Sequence, residues 1–220
     1  MVSHPVLPSK YETTTTDIRV ADKSLTFLQI RNMDAVIGEL LKPGKKGEGE
    51  RPFWAKIWES SVLLAHLLSM LPVKSDASML EIGCGMGVAG LFASAFGHDT
   101  ILTDINEDAL AFARANAALN GLEDTRIVRL DWGSDRLERR FDMIFGSDVL
   151  YTDGSYGLLI EFLKAHLKPD GKVVLAVSGF ISAATFFKEA EPVFKIGKKT
   201  YALRSDTRSH SIFLYTLEYP

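Results

Sequence analysis

Cysteine is almost missing from this chain of 220 residues: Cys84 stands alone, so no internal disulfide can form and a disulfide-stapled secreted scaffold is excluded. Histidine is sparse, and His4, His66, His98, His166 and His210 show no metal-ligand spacing; no metal site is expected. No apolar run reaches transmembrane length, and the opening MVSHPVLPSKYETTTT lacks the charged and apolar regions of a secretory signal. That opening reads as a mobile or loosely docked tail. An excess of positive charge is also missing: the formal net charge is −3, which gives no bulk attraction to nucleic acid. Together these absences point to a cytoplasmic protein that works on neither nucleic acid nor membrane.

What is present suffices for one domain with a substantial core. Residues 17 to 31 hold two short β-like runs around Ala21-Asp22-Lys23-Ser24, which predicts a hairpin. Met33 to Leu41 has helical apolar spacing, and the Gly- and Lys-rich stretch 42 to 50 reads as a loop. The chain therefore divides into an N-terminal extension, 1–50, and a main domain, 51–220. Composition changes at RPFWAKIWESSVLLAHLLSMLP, where aromatics run into a helix with Val62, Leu63, Leu67 and Met70 on its apolar face, ended by Pro72. Phe53, Trp54 and Trp58 either anchor this helix on the core or line a ligand cleft; Trp58, at the helix start, is the candidate for the second role.

From Met79 strands and helices alternate: MLEIG, VAGLFASAFG, TILTD, EDALAFARANAALNG, TRIVRLDW, FDMIFGSD, GLLIEFLKAHL, a KPDG turn, KVVLAVS and a helix near SAATFFKEAEPV. Such alternation implies an α/β fold, an open Rossmann-like sheet with helices on both faces. The runs FKIGKKTYAL and HSIFLYTLEY have no long helix between them and should pair antiparallel. The expected sheet thus has seven strands, mostly parallel, with an antiparallel last strand and a small N-terminal β/α extension.

The stretch MLEIGCGMGVAG, 79 to 90, carries the strongest signal. Gly83, Gly85 and Gly87 permit a tight turn and close ligand approach, and the following helix start offers free amide groups. Asp104 ends the next apolar run, 21 positions after Gly83, where an acidic residue accepts hydrogen bonds from ribose hydroxyls. The glycines parse in two ways. Gly85-x-Gly87-x-x-Gly90 satisfies a dinucleotide fingerprint, whereas Glu81-x-Gly83-x-Gly85-x-Gly87 fits a methyl-donor turn. Glu81 at the strand end, the glycine directly after the apolar residues and the antiparallel final pair favour the second parse.

LEIGCGMGVAG, TDIN and RLDWG resemble the successive motifs of seven-strand S-adenosylmethionine-dependent methyltransferases over roughly residues 51 to 220. The resemblance implies that Asp104 holds the ribose, Ile105 packs on the adenine, and Asp131 and Trp132 lie beside it. It also implies that Glu81 acts through the glycine turn on the donor's amino-acid part. The cofactor is then S-adenosylmethionine, with S-adenosylhomocysteine as product. Asp148-Val149-Leu150-Tyr151 resembles the Asp/Glu-x-x-Tyr motif of the protein lysine methyltransferases in this class, and PFWAKIW and TFLQI look similar to that group too. It departs from the Asn/Asp-Pro-Pro-Tyr loop of nucleic-acid amine methylases, since Val149 and Leu150 replace both prolines. The implied partner is a protein presenting a lysine; Asp148 would orient the incoming amine and Tyr151 would wall the acceptor channel. Readings left open are a small-molecule methyltransferase, a nicotinamide-dependent oxidoreductase and a non-catalytic ligand-binding or scaffold protein.

The residues outside these motifs read as ordinary structure. Asn116 and Asn120 share a helix face, with Asn120 before Gly121 as part of a C-terminal cap. Cys84 fits as a small side chain between two glycines. Lys198, Lys199 and the charges from Arg204 to Arg208 read as a solvated hairpin.

Overall fold

The computed structural model describes residues 11–33, 53–150, 154–204 and 209–220. Beyond Met33, the expected helix and the loop of 42–50 lie outside the described residues. The first element is the expected hairpin, β1 (Thr13–Val20) paired antiparallel with β2 (Lys23–Ile30). It begins earlier than the sequence suggests. The threonines read as part of a loose tail are β-branched and form a ladder opposite Phe27 to Ile30, with Thr16 facing Phe27 and Thr13 facing Ile30. Val20, Leu25 and Phe27 are buried against Leu91, Phe92 and Leu110 of the main body.

After a short 3₁₀ turn at Phe53–Ala55 comes α1 (Glu59–Ser69). Its buried face is Ser60, Ser61, Leu64, Ala65 and Leu68, not the stripe read from the sequence: Val62, Leu63 and Leu67 are half-buried and Met70 is exposed. The stripe is rotated because Ser60 points inward to a buried carboxylate, which apolar periodicity cannot reveal. The helix ends at Ser69, with Met70 as its C-cap, three positions before Pro72, whose ring disfavours helical backbone in the preceding residue.

The remaining elements are β3 (Ser78–Ile82), α2 (Val88–Ala95), β4 (Asp99–Asp104), α3 (Glu107–Leu119), β5 (Arg126–Arg129), β6 (Phe141–Ser147), α4 (Tyr156–His166), β7 (Leu167–Ser178), α5 (Ala184–Ala190), β8 (Lys195–Arg204) and β9 (Ser209–Glu218). They build one seven-stranded sheet in the order β5-β4-β3-β6-β7-β9-β8. The pairs from β5 to β7 are parallel, and β9 runs antiparallel to both β7 and β8. Side chains alternate along β3: Leu80 and Ile82 join the cluster with α4 and α5, whereas Met79 joins the cluster with α1 and α2. Helices thus cover both faces, as expected.

Two strand boundaries differ from the reading above. β5 ends at Arg129 because β4 ends at Asp104, its last partner, so Asp131 and Trp132 fall in the turn that follows. The KPDG segment does not precede β7 as a separate turn; it is absorbed as an irregularity at the start of that strand, where Phe141 faces Leu167 but Met143 faces Lys172. No helix among the described residues is long and apolar enough to cross a membrane.

Candidate active site

β3 is flanked by β4 on one side and β6 on the other, so the connections leave in opposite directions and a crevice opens at the carboxyl ends of the strands. A cavity lies there, lined by Gly83 to Met86 after β3, Asp104 to Asn106 at the end of β4, Ser147 to Val149 after β6, and Phe180 with Ile181 after β7. Phe53, Trp54, Lys56 and Trp58 form the opposite wall. The cavity is partly open to solvent.

The glycine turn is fixed at each step. Gly83, Gly85 and Gly87 have φ of +61°, +54° and +83°, the left-handed region that glycine adopts at least cost. A Cβ on Gly85 would stand 2.9 Å from the Trp54 carbonyl oxygen. The Cys84 amide donates to Thr103 O (2.9 Å), the Gly85 amide to Asp104 Oδ2 (2.8 Å) and the Gly87 amide to Cys84 O (2.8 Å). Asp104 also accepts from the Asn106 amide at 2.9 Å, while Asn106 caps α3 through the Ala109 amide. This carboxylate therefore both shapes the turn and lines the cavity.

Of the residues expected at the donor, Gly83, Gly85, Asp104, Ile105, Trp132 and Trp58 line the cavity. Gly87 instead starts α2 in left-handed conformation and packs on Leu102, Leu91 and Ala113. Glu81 lies beneath the turn, 1% exposed, on the α2 side of the sheet. The missing side chain of Gly90 makes room for it: a Cβ there would collide with Glu81 Oε2 and Leu102. Among the described residues Glu81 Oε2 has no hydrogen-bond partner. Desolvation pushes this carboxyl well above its usual range, the Gly90 amide offsets part of the shift, and the nearby Asp104 charge adds to it. Asp131 is not in the lining; its Oδ1 accepts from the Gly133 amide at 2.8 Å and shapes the turn that carries Trp132. Burial, followed by Asp104 and Glu81, raises the Cys84 thiol, which keeps it protonated and unreactive.

In the lining segment after β6, Asp148 holds a left-handed φ of +52°. Its Oδ2 accepts from Ser60 Oγ (2.6 Å) and Ser178 Oγ (2.7 Å), and its Oδ1 from the Ser178 amide (2.6 Å). Burial raises its pKa, and the serine donors pull in the opposite direction. Tyr151 lies outside the described residues. Ser60 and Ser178 escaped sequence reasoning because their partner is 88 and 30 positions away; the one available sign was a polar pair opening an apolar helix. Phe180 was also missed. It is 69% exposed, lines the cavity and packs on Trp58 at 5.7 Å between ring centres. Trp58 donates its Nε1–H to Phe53 O and carries Lys56 Nζ 4.6 Å above its ring. All three aromatics line the cavity, and Trp54 also anchors on the core through Phe112 and Tyr11.

Comparison with known proteins agrees with this arrangement. A family described as lysine methyltransferase matches residues 46–191. Histidine protein methyltransferase 1 homolog of Dictyostelium discoideum is 32% identical over 128 residues, covering 55% of this chain and 41% of that protein. Mouse protein N-lysine methyltransferase METTL21A is 29% identical over 163 residues, covering 69% of this chain and 73% of its own. The chain thus spans less than half the length of the first of these relatives. The crystal structure of a SAM-dependent methyltransferase from Agrobacterium tumefaciens superposes with a TM-score of 0.61 at 17% identity, over 97% of this chain and 72% of the other, a likeness of fold. A family match over most of the sheet, set on a glycine turn and strand-end carboxylate that line one cavity, makes this chain a member of the lysine methyltransferase family.

Proposed function

We propose that the chain transfers a methyl group from S-adenosylmethionine to a lysine side chain of a protein, in the cytoplasm. The observation that carries this reading is one cavity lined both by glycines with Asp104 and by Asp148, Trp58 and Phe180. The residues present fit the donor. Gly83 and Gly85 bring bare backbone to the cavity floor, and Asp104 ends β4 beside them. Ile105 and Trp132 offer apolar surface for the adenine, with Asp131 holding the turn behind Trp132 and Gly87 and Glu81 supporting the glycine turn from below. When bound, the donor supplies an activated methyl sulfonium.

The protein's task is then placement and exclusion of water. A lysine amine has a reference pKa near about 10.4 and must be neutral to attack. Trp58 and Phe180 give its methylene stem an apolar wall. Asp148, fixed by Ser60 and Ser178, accepts a hydrogen bond from the amine and orients its lone pair. Incubating the protein with labelled donor and a cell lysate should mark one or a few protein bands, with label recovered in methylated lysine. Label confined to nucleic acid or small metabolites would overturn the assignment.

A second reading is methylation of a protein histidine, favoured by the name of the Dictyostelium relative. The same labelled bands decide it, since acid hydrolysis separates methylhistidine from methyllysine. The nicotinamide reading is removed by the family match and not by the glycines, which suit either cofactor.

A further inference from the structure

We infer that Asn116 is a positioning residue for donor binding, and that through it the N-terminal hairpin forms part of the donor site. This rests on the glycine turn being the donor site. Asn116 is fully buried on α3. Its Oδ1 accepts from the Leu28 amide of β2 at 2.7 Å, and its Nδ2 donates to the Met86 carbonyl at 3.0 Å. Met86 lies between Gly85 and Gly87, both left-handed, and lines the cavity. The amides of Cys84, Gly85 and Gly87 are held from β4 or from within the turn; the Met86 carbonyl is held by Asn116. One carboxamide therefore spans from β2 to the peptide group on which the turn reverses. Leaving that buried carbonyl unpaired would favour other conformations of the turn.

One helical turn further on, Asn120 supplies an internal control. It accepts from the Thr26 amide and donates to the Thr26 carbonyl, both at 2.8 Å, so it grips β2 without reaching the glycine turn. Both asparagines tie the hairpin to α3. Asn116 alone of the two continues to Met86. Coupling between sites is reciprocal, so a ligand that orders the turn must also quiet the Leu28 amide.

Calorimetry with S-adenosylhomocysteine and hydrogen exchange test this without any turnover. Asn116→Ala should weaken binding about tenfold or more, while Asn120→Ala lowers the melting temperature but binds within about twofold of the parent chain. Equal binding by the two variants, or an Asn116→Ala affinity within about twofold of the parent, overturns the inference. Should Asn116→Ala fail to fold, exchange in the unaltered protein decides: the ligand should slow the amides of residues 25–30 together with those of 83–87, and an unchanged hairpin would refute the coupling. Absence of any S-adenosylhomocysteine binding by the unaltered protein would instead refute the donor-site reading itself.

Discussion

Asp148 is the residue on which the proposed chemistry turns, and its surroundings make a definite demand. Three donors from α1 and β7 face its oxygens, so Asn at this position presents an NH₂ to at least one hydroxyl or amide that needs an acceptor. Asp148→Asn should keep donor binding, measured by calorimetry, and lose about 10²- to 10⁴-fold in kcat. Full activity in that variant would remove Asp148 from the acceptor side. His166 gives a residue-level expectation about stability. Its Nε2 accepts from the Leu137 amide and its Nδ1 donates to Phe162 O, a pattern that requires the neutral ring. Burial, the largest cause, lowers its pKa below 6.5, and the charges of Arg136 and Arg140 add to this. Below about pH 6.5 the unfolded chain takes up a proton that the folded chain refuses, so stability falls as pH drops toward the folded value. The urea midpoint should be lower at pH 5 than at pH 7.5, and His166→Gln should narrow that difference.

At the scale of elements, the glycine turn and the 3₁₀ turn at Phe53–Ala55 are one packed unit. Gly85→Ala would place a methyl against the Trp54 carbonyl in a left-handed backbone. The expected loss is about 1–3 kcal/mol in urea unfolding, with weaker donor binding, since a non-glycine residue pays about 1–2 kcal/mol in this region. Most elements were legible because their apolar runs and punctuation are local: β3, β4, β6 and β7 announce themselves by continuous apolar stretches, α3 by the run EDALAFARANAALNG closed at Asn120-Gly121. What was not legible depends on partners far along the chain. The face of α1 is set by Ser60 reaching Asp148, and the roles of Asn116 and Asn120 by backbone of β2 some 90 positions earlier. The end of β5 is likewise fixed by where β4 stops. The glycines and Asp104 could be placed at the cavity because spacing carries that information, and Trp132 through the resemblance of RLDWG; Phe180, Lys56 and the serines could not, since only folding brings them there.

For the molecule as a whole, a ligand that binds the native chain and not the unfolded one stabilises it by mass action. S-adenosylhomocysteine at about 100 times its Kd should add about 2.7 kcal/mol, which for a chain of this size is a rise in melting temperature of roughly 5–11 °C. A nicotinamide dinucleotide at the same concentration should leave the melting curve unchanged; a shift with that compound alone would return the dinucleotide parse, Gly85-x-Gly87-x-x-Gly90, to favour. One topological detail also bears on how the molecule is made. β9 leaves the ribosome after β8, yet it is β9 that pairs with β7, and β8 reaches the sheet only through β9. During synthesis the apolar edge of β7 therefore stays open until Ile212, Phe213 and Leu214 emerge, at about 5–20 residues per second. For that interval β7 is the place where a nascent chain would find a chaperone or a neighbouring chain, and stalling of translation between β8 and β9 would lengthen the exposure.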